Sequence, residues 1–352
     1  MKKTVLITGS SGLVGSETAK FFLKKNFKVI GIDNNKRSYF FGKEASTNWI
    51  KKKLLKNKNY FHFTFDITNY SKLEKIIKKN KSNLSLIVHC AAQPSHDWAY
   101  REPILDFEIN SKSTLYLLEL IRKYKKNIKF ILTSTNKVYG DNPNKLKFLE
   151  YKKRFELSKK DQLFKGINEN MSIDNCKHSL FGASKTYGDL ITQEYGKNLG
   201  LDTIVFRAGC ISGPNHSGAV LHGFLSYLVK SCVKKKKYTI IGYKGKQVRD
   251  NIHSNDLVNC FWEFYKNKTK KRGEAYNIGG GRKSNCSILE AIDYVENKTK
   301  IKVKKIFLRQ NRIGDHKWYI SDNSKFKRNY PDWKQNYNYK KILDEIIDYT
   351  YK

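Results

Sequence analysis

Three glycines at every third position, in Gly9-Ser-Ser-Gly12-Leu-Val-Gly15, follow directly on the apolar run Thr4 to Ile7. Glycine lets the backbone turn tightly after a strand and lets a pyrophosphate approach main-chain N–H groups. A helix opening at that point favours the negative charge. Asp33 ends the next β-branched run, where a carboxylate accepts hydrogen bonds from the hydroxyls of an adenosine ribose and repels a 2′-phosphate. These residues imply a dinucleotide site selective for NAD, built from Gly9, Ser11, Gly12, Leu13, Val14, Gly15, Asp33 and Asn34. Arg37, close behind, keeps NADP open as the alternative.

Other chemistry-bearing side chains stand farther along the chain. Thr133-Ser-Thr135-Asn136-Lys137-Val-Tyr139 combines hydroxyls with a tyrosine, and Lys185 follows Phe181 at the distance that shares one helix face. Histidines stand at 178, 216 and 222, and arginines at 249 and 312. The six cysteines form no CxxC pair and have no nearby histidine at metal-ligand spacing, which implies reduced thiols and no metal.

The elements that must position these residues alternate. Thr4 to Ile7, Lys28 to Ile32, Tyr60 to Phe65, Leu84 to His89 and Lys129 to Thr133 read as strands separated by stretches of helical spacing. A helix from about Ala183 to Leu199 and a strand from Leu201 to Arg207 continue the pattern. This βαβα order predicts an α/β fold, a Rossmann doubly wound parallel sheet covered by helices on both faces. After residue 207 glycines become frequent and short strands such as Tyr238 to Ile241 alternate with helices such as Ser287 to Asn297. The reading is an NAD-binding domain over 1–206 and a smaller α/β substrate lobe over 207–352, with a ligand cleft expected between them and chain free to cross.

A formal net charge of +37 over 352 residues would by itself favour a polyanion partner. The lysines are spread singly and in pairs, however, with no helix-turn-helix, zinc-finger or RNP signature, so a solvated basic surface is expected and nucleic acid is not. The run Lys234 to Lys237 reads as a helix end or loop facing water. The basic opening Met1-Lys-Lys resembles a signal peptide, but the apolar run stops at Ile7, and no later stretch approaches a membrane span. A cytoplasmic protein is expected.

The stretches Asp106-Phe-Glu-Ile-Asn110, Ser134-Thr-Asn-Lys-Val-Tyr-Gly-Asp141, Gly245-Lys-Gln-Val-Arg-Asp250 and Ala275-Tyr-Asn-Ile-Gly-Gly280 resemble the extended short-chain dehydrogenase/reductase family, also called the NAD-dependent epimerase/dehydratase family. Within it they look most like the CDP-paratose/CDP-tyvelose 2-epimerase group. The resemblance implies adenine contacts at Asp66 and Ile67, and cofactor contacts at Ala91, Ala92, Gln93, Asn110, Thr133 and Lys185. It puts Thr135 on the reacting sugar oxygen, Arg249 and Arg312 on the substrate diphosphate, and Asn136, Cys210, His216 and His222 around the substrate. It also implies a nucleotide-linked, CDP-linked sugar as partner, a homodimer built on helices near 110–124 and 183–199, and a place in polysaccharide biosynthesis.

Two departures sort the reaction. The family carries a tyrosine four residues before its lysine, where it moves a proton on and off the sugar hydroxyl; here Phe181 holds that place, and phenylalanine transfers no proton. His178, Tyr139, Lys137 or a water relay are the candidates to replace it, and a silent NAD- or nucleotide-sugar-binding module is the alternative. A 4,6-dehydratase of this class needs an acid directly after the threonine, and Asn136 is not one. Epimerisation fits better, by passing hydride to NAD and taking it back.

Overall fold

A computed structural model describes residues 2–125, 127–219, 222–268, 271–312 and 314–351. The chain forms two compact units: one of 1–138, 180–207 and 258–276, the other of 139–179, 208–257 and 277–352. The segments 139–179 and 258–276 cross between the two units. The second of these segments leaves its helix to feed the strand Glu274–Ile278, which hydrogen-bonds beside Thr203–Ala208 and so extends the sheet of the first unit.

That sheet has seven strands among the described residues, in the order 274–278, 203–208, 129–135, 84–89, 4–8, 28–32, 60–63. Thr4–Thr8 pairs in parallel with Lys28–Ile32 on one side and Leu84–His89 on the other. Thr4-Val-Leu-Ile-Thr8 is buried at every position, as a central parallel strand with both faces covered must be. Leu6, Ile30, Leu84, Ile87, Leu117, Ile121, Phe130 and Val205 share one core with it. The predicted strands all form, with ends shifted by one or two residues; Thr135 closes its strand rather than following it. The doubly wound expectation holds.

The second unit has its own apolar core, in which Leu225, Leu228 and Val229 meet Ile240, Ile288, Ile292, Val295, Ile342 and Ile346. The helix Ile288–Thr299 starts on a capping box, Ser287 accepting from the Glu290 N–H while the Glu290 carboxylate accepts from the Ser287 N–H. The central strand Val248–His253 is buried throughout. It pairs with Cys210–Ser212 and Trp318–Tyr319 in parallel and with Asn285–Ser287 antiparallel. Lys234 caps the C-terminus of Phe224–Val233, and Lys234 to Lys237 are exposed, as read. No helix among the described residues is long and apolar enough to cross a membrane.

Candidate active site

On the first unit, Gly9 turns the chain at φ +64 immediately after its strand, and a methyl there would strike the Ala91 backbone at 2.8 Å. At Gly15 a methyl would lie 2.1 Å from the Gly9 carbonyl oxygen, so the turn closes only on glycine. Gly12 differs: a methyl would meet only the Gly9 oxygen, at 3.3 Å. The protein presses on this glycine at one point only, and a ligand lying against the turn would supply the rest of the reason for it. Gly12 is also the N-cap of Leu13–Lys24 with no side-chain cap, and the buried Ser11 hydroxyl has no hydrogen-bond partner. A dinucleotide pyrophosphate fits this cradle. Asp33 accepts from the Ser11 N–H through Oδ2 at 2.9 Å and from the Asn35 N–H through Oδ1 at 2.7 Å, so one carboxylate oxygen faces the turn and the other its own chain. Asp66 accepts from Asn34 Nδ2, Lys36 Nζ and Thr68, and the Arg37 guanidinium lies over the Phe41 ring.

The next strand end is held by a chain of hydrogen bonds with a fixed direction. Thr8 Oγ1 accepts from the Cys90 and Ala91 N–H groups, so its own proton goes to His89 Nδ1 at 2.7 Å. His89 Nε2 then donates to Ser113 Oγ, which donates to the Ile109 carbonyl. Burial lowers the His89 imidazole to about 3, so the ring stays neutral and the chain keeps its sense.

Beyond it, Gln93 and Asn110 are buried and tied to each other. The Gln93 N–H donates to Asn110 Oδ1 at 3.0 Å, and Asn110 Nδ2 donates to the Gln93 carbonyl, to Asp106 and to Ser184 Oγ. Asn110 sits in a π-helical stretch, Glu108–Lys112, that runs directly into the helix Ser113–Tyr124. The amides expected at the cofactor are thus occupied in positioning the 93–96 loop against the helix Ser179–Lys197.

That helix carries Phe181 and Lys185, both buried. Lys185 Nζ donates to the Thr133 carbonyl at 3.1 Å, and the Thr133 hydroxyl donates to the His89 carbonyl. Burial brings the Lys185 ammonium down to about 8, with Asp106 and Asp189 opposing. Thr135 Oγ1 accepts from the Lys137 N–H at 3.3 Å and lies 3.4 Å from Asn136 Oδ1. Ser134 donates to Asp189, whose carboxylate also takes Arg207 in two buried bonds of 2.8 and 3.0 Å. This cluster, in which Asp189 on the Lys185 helix holds the Thr135 strand through Ser134 and the Thr203–Ala208 strand through Arg207, went unread because its members lie in separate stretches. Phe181 meets the His96 ring edge-on, centroids 4.9 Å apart. His96 also went unread; it stands just past the strand-end motif, as the first residue of the helix His96–Arg101 that Ser95 caps.

Two of the proton-transfer candidates named on sequence, Tyr139 and His178, lie in the second unit. Tyr139 is fully buried, its hydroxyl donating to Asn277 Oδ1 at 2.7 Å and its ring stacked on Tyr319. His178 gives Nε2 to the Ile173 carbonyl at 2.8 Å, and its Nδ1 is sealed from solvent. Arg249 donates to the Val248 carbonyl and to Asp315 Oδ1 at 2.5 Å, and Arg312 follows on the same loop as Asp315. His216 Nε2 lies 3.3 Å from His222 Nδ1, while Cys210 starts a strand paired at Asn251.

Residues 5–279 match the NAD dependent epimerase/dehydratase family. The chain belongs to it. Its cofactor is NAD, as the cradle and Asp33 imply. The chain is 31% identical to the CDP-paratose 2-epimerase of Salmonella typhi over 98% of both proteins. It is 26% identical to a UDP-glucuronate 4-epimerase of Thermodesulfobacterium geofontis, over 92% of this chain and 88% of the relative. It shares its fold, at a TM-score of 0.80 and 24% identity over 99% of both chains, with the Bacillus cereus UDP-glucuronic acid 4-epimerase solved with UDP-glucuronic acid and NAD. The resemblance read from the motifs is borne out at the level of the family.

Proposed function

We propose that this enzyme inverts C2 of a CDP-linked hexose through a transient 2-ketone. An unactivated C2–H is too weak an acid for direct removal, so the carbon must first be oxidised. NAD supplies that chemistry when bound, accepting a hydride and giving it back. Gly9, Gly12, Gly15 and Asp33 hold the dinucleotide, Lys185 takes the nicotinamide ribose, Thr135 steadies the reacting oxygen, and Arg249 with Arg312 takes the diphosphate by their guanidinium forks. The observation that carries the choice is Asn136, buried directly after Thr135: an amide there gives no proton to a departing hydroxyl, which counts against dehydration. Likeness to a 2-epimerase along nearly the whole chain supports the carbon. With deuterium at C2 of CDP-glucose, the recovered epimer keeps its label. Washout to solvent, inversion at C4 or loss of water rules out this reading.

We also infer a homodimer. The Ser113–Tyr124 helix turns its leucines into its own core. The apolar residues left exposed are instead Tyr100, Ile104 and Phe107, with Leu180, Tyr187 and Leu190 on the neighbouring helix, where Phe107 and Tyr187 meet ring to ring. Light scattering at micromolar concentration gives twice the chain mass, and Ile104→Glu returns it to monomer.

A further inference from the structure

We propose that His96 is the acid–base residue that takes over from the tyrosine replaced by Phe181. This rests on the hydride-transfer reading above, because only that chemistry requires a proton to leave and return to the sugar oxygen.

Several titratable groups of the first unit are already committed elsewhere. Lys185 is bound to the Thr133 carbonyl, and Asp106 is buried under donors from Gln93 and Asn110. Burial pushes the Cys90 thiol up to about 12, out of range for proton exchange near neutrality. Tyr187 lies off the Phe181 face and packs on Phe107. His96 is half-buried, and imidazole carries two ring nitrogens, one of which can accept a proton and return it.

Its position is built. Gln93 and Ser95 lock the loop by a reciprocal pair, the Ser95 N–H donating to Gln93 Oε1 at 2.6 Å and Gln93 Nε2 donating to the Ser95 carbonyl at 2.8 Å. Asn110 then joins Gln93 to Ser184, and Ser184 Oγ donates to the Phe181 carbonyl at 3.0 Å. Every link from the His96 loop to the Phe181 helix is therefore a buried hydrogen bond. At its end the imidazole lies against the phenyl ring that occupies the place of the family's phenol.

In the forward half-reaction the imidazole takes the hydroxyl proton while the C–H electron pair leaves with its hydrogen as hydride to NAD, and the C–O bond becomes C=O. In the return half-reaction the hydride adds to the other face of the carbonyl and the imidazolium gives its proton back to the oxygen. Residue and cofactor end as they began.

The test reads the imidazole itself. In holoenzyme labelled in its histidine rings, with the His96 signal identified by its loss in His96→Asn, CDP-glucose shifts that signal and CDP-2-deoxyglucose does not. His96→Asn and His96→Gln each keep bound NAD and lower its transient reduction by CDP-glucose about 100-fold or more. Adding Phe181→Tyr to His96→Asn restores at least a tenth of the lost rate. A His96 signal unmoved by CDP-glucose, or variants within threefold of wild type, overturns the proposal. A shift that persists with the 2-deoxy sugar and vanishes with the 4-deoxy sugar keeps His96 as the proton acceptor and overturns the C2 assignment instead.

Discussion

Glycine does opposite things in the two units. In the first, a methyl on Gly12 would meet a single atom, the Gly9 oxygen, in a tight contact of 3.3 Å. In the second, Gly209 and Gly279 close on the buried Asp250 carboxylate so tightly that a methyl would lie 2.2 and 1.9 Å from its oxygens. Asp250 Oδ2 accepts from the Ser321 N–H at 2.9 Å and the Gly281 N–H at 3.3 Å, so it ties two backbone segments to the central strand. One glycine motif keeps space for a ligand and the other removes space between protein atoms. In sequence they look alike.

Substitution separates them. Gly279→Ala drives a methyl into a carboxylate that has nowhere to go, and we expect a loss of about 4 kcal/mol, overpacking and broken hydrogen bonds adding. Chemical denaturation of the apo protein reads it. Gly12→Ala is expected to cost less than about 1 kcal/mol of apo stability, yet to weaken NAD by about 100-fold, or ~2.7 kcal/mol. If Gly12→Ala binds NAD like wild type in calorimetry, the contrast collapses and the cradle is not where the pyrophosphate sits.

The buried charges extend the contrast. Burial lowers Lys185 to about 8, against about 10.4 in an unfolded chain. Between those values the unfolded state holds the extra proton, so stability rises with pH across that window and the cost of burial returns below it. Burial raises Asp250 to about 6, against about 3.9 unfolded. Here the folded state holds the extra proton, and stability falls as pH rises from about 4 to 6. Each window is worth about 3 kcal/mol at 1.36 kcal/mol per pH unit. Stability–pH curves of wild type minus Lys185→Met, and of wild type minus Asp250→Asn, isolate the slopes; a flat difference in either shows that group to be unshifted.

Legibility followed the same division. The sheet of the first unit was readable because parallel strands buried on both faces must be continuously apolar, and the cofactor turn because only a few residue types can make it. The course of the chain between units was not readable, since Glu274–Ile278 looks like any short strand until it is seen beside Thr203–Ala208. Arg249-Asp250 and Gly279-Gly280 were read as one family signature, although their shared physical content, a carboxylate enclosed by glycines, is visible only in three dimensions. Tyr139 drew notice as a phenol near the reacting threonine, but its hydroxyl is spent on Asn277. His96 drew none, because a lone histidine at the start of a short helix carries no signal until its ring is found on Phe181.

The smallest expected effect falls on position 181, where one atom tests whether the residue belongs with Gly12, answering to a ligand, or with Gly279, answering to the protein. Phe181→Tyr adds a hydroxyl to a side chain that is 7% exposed and already borders the polar His96 ring. The added group has a partner at hand, so stability should move by less than about 1 kcal/mol, the net worth of one hydrogen bond. Were the position fixed by packing alone, as Gly279 is, the hydroxyl would be buried unpaired and cost about 2 kcal/mol. Turnover completes the test. With His96 still in place, Phe181→Tyr should change the rate of epimer formation by less than about tenfold, because proton transfer from imidazole and from phenol are alternative routes of similar worth. A gain of a hundredfold would mean that no group had replaced the tyrosine and that Phe181 limits the enzyme. A different product would mean that the phenyl ring itself shapes how the sugar turns between the two hydride transfers. An unchanged rate together with an unchanged His96 ring signal would place residue 181 outside the reaction, and the alignment of its helix with the family motif would fail with it.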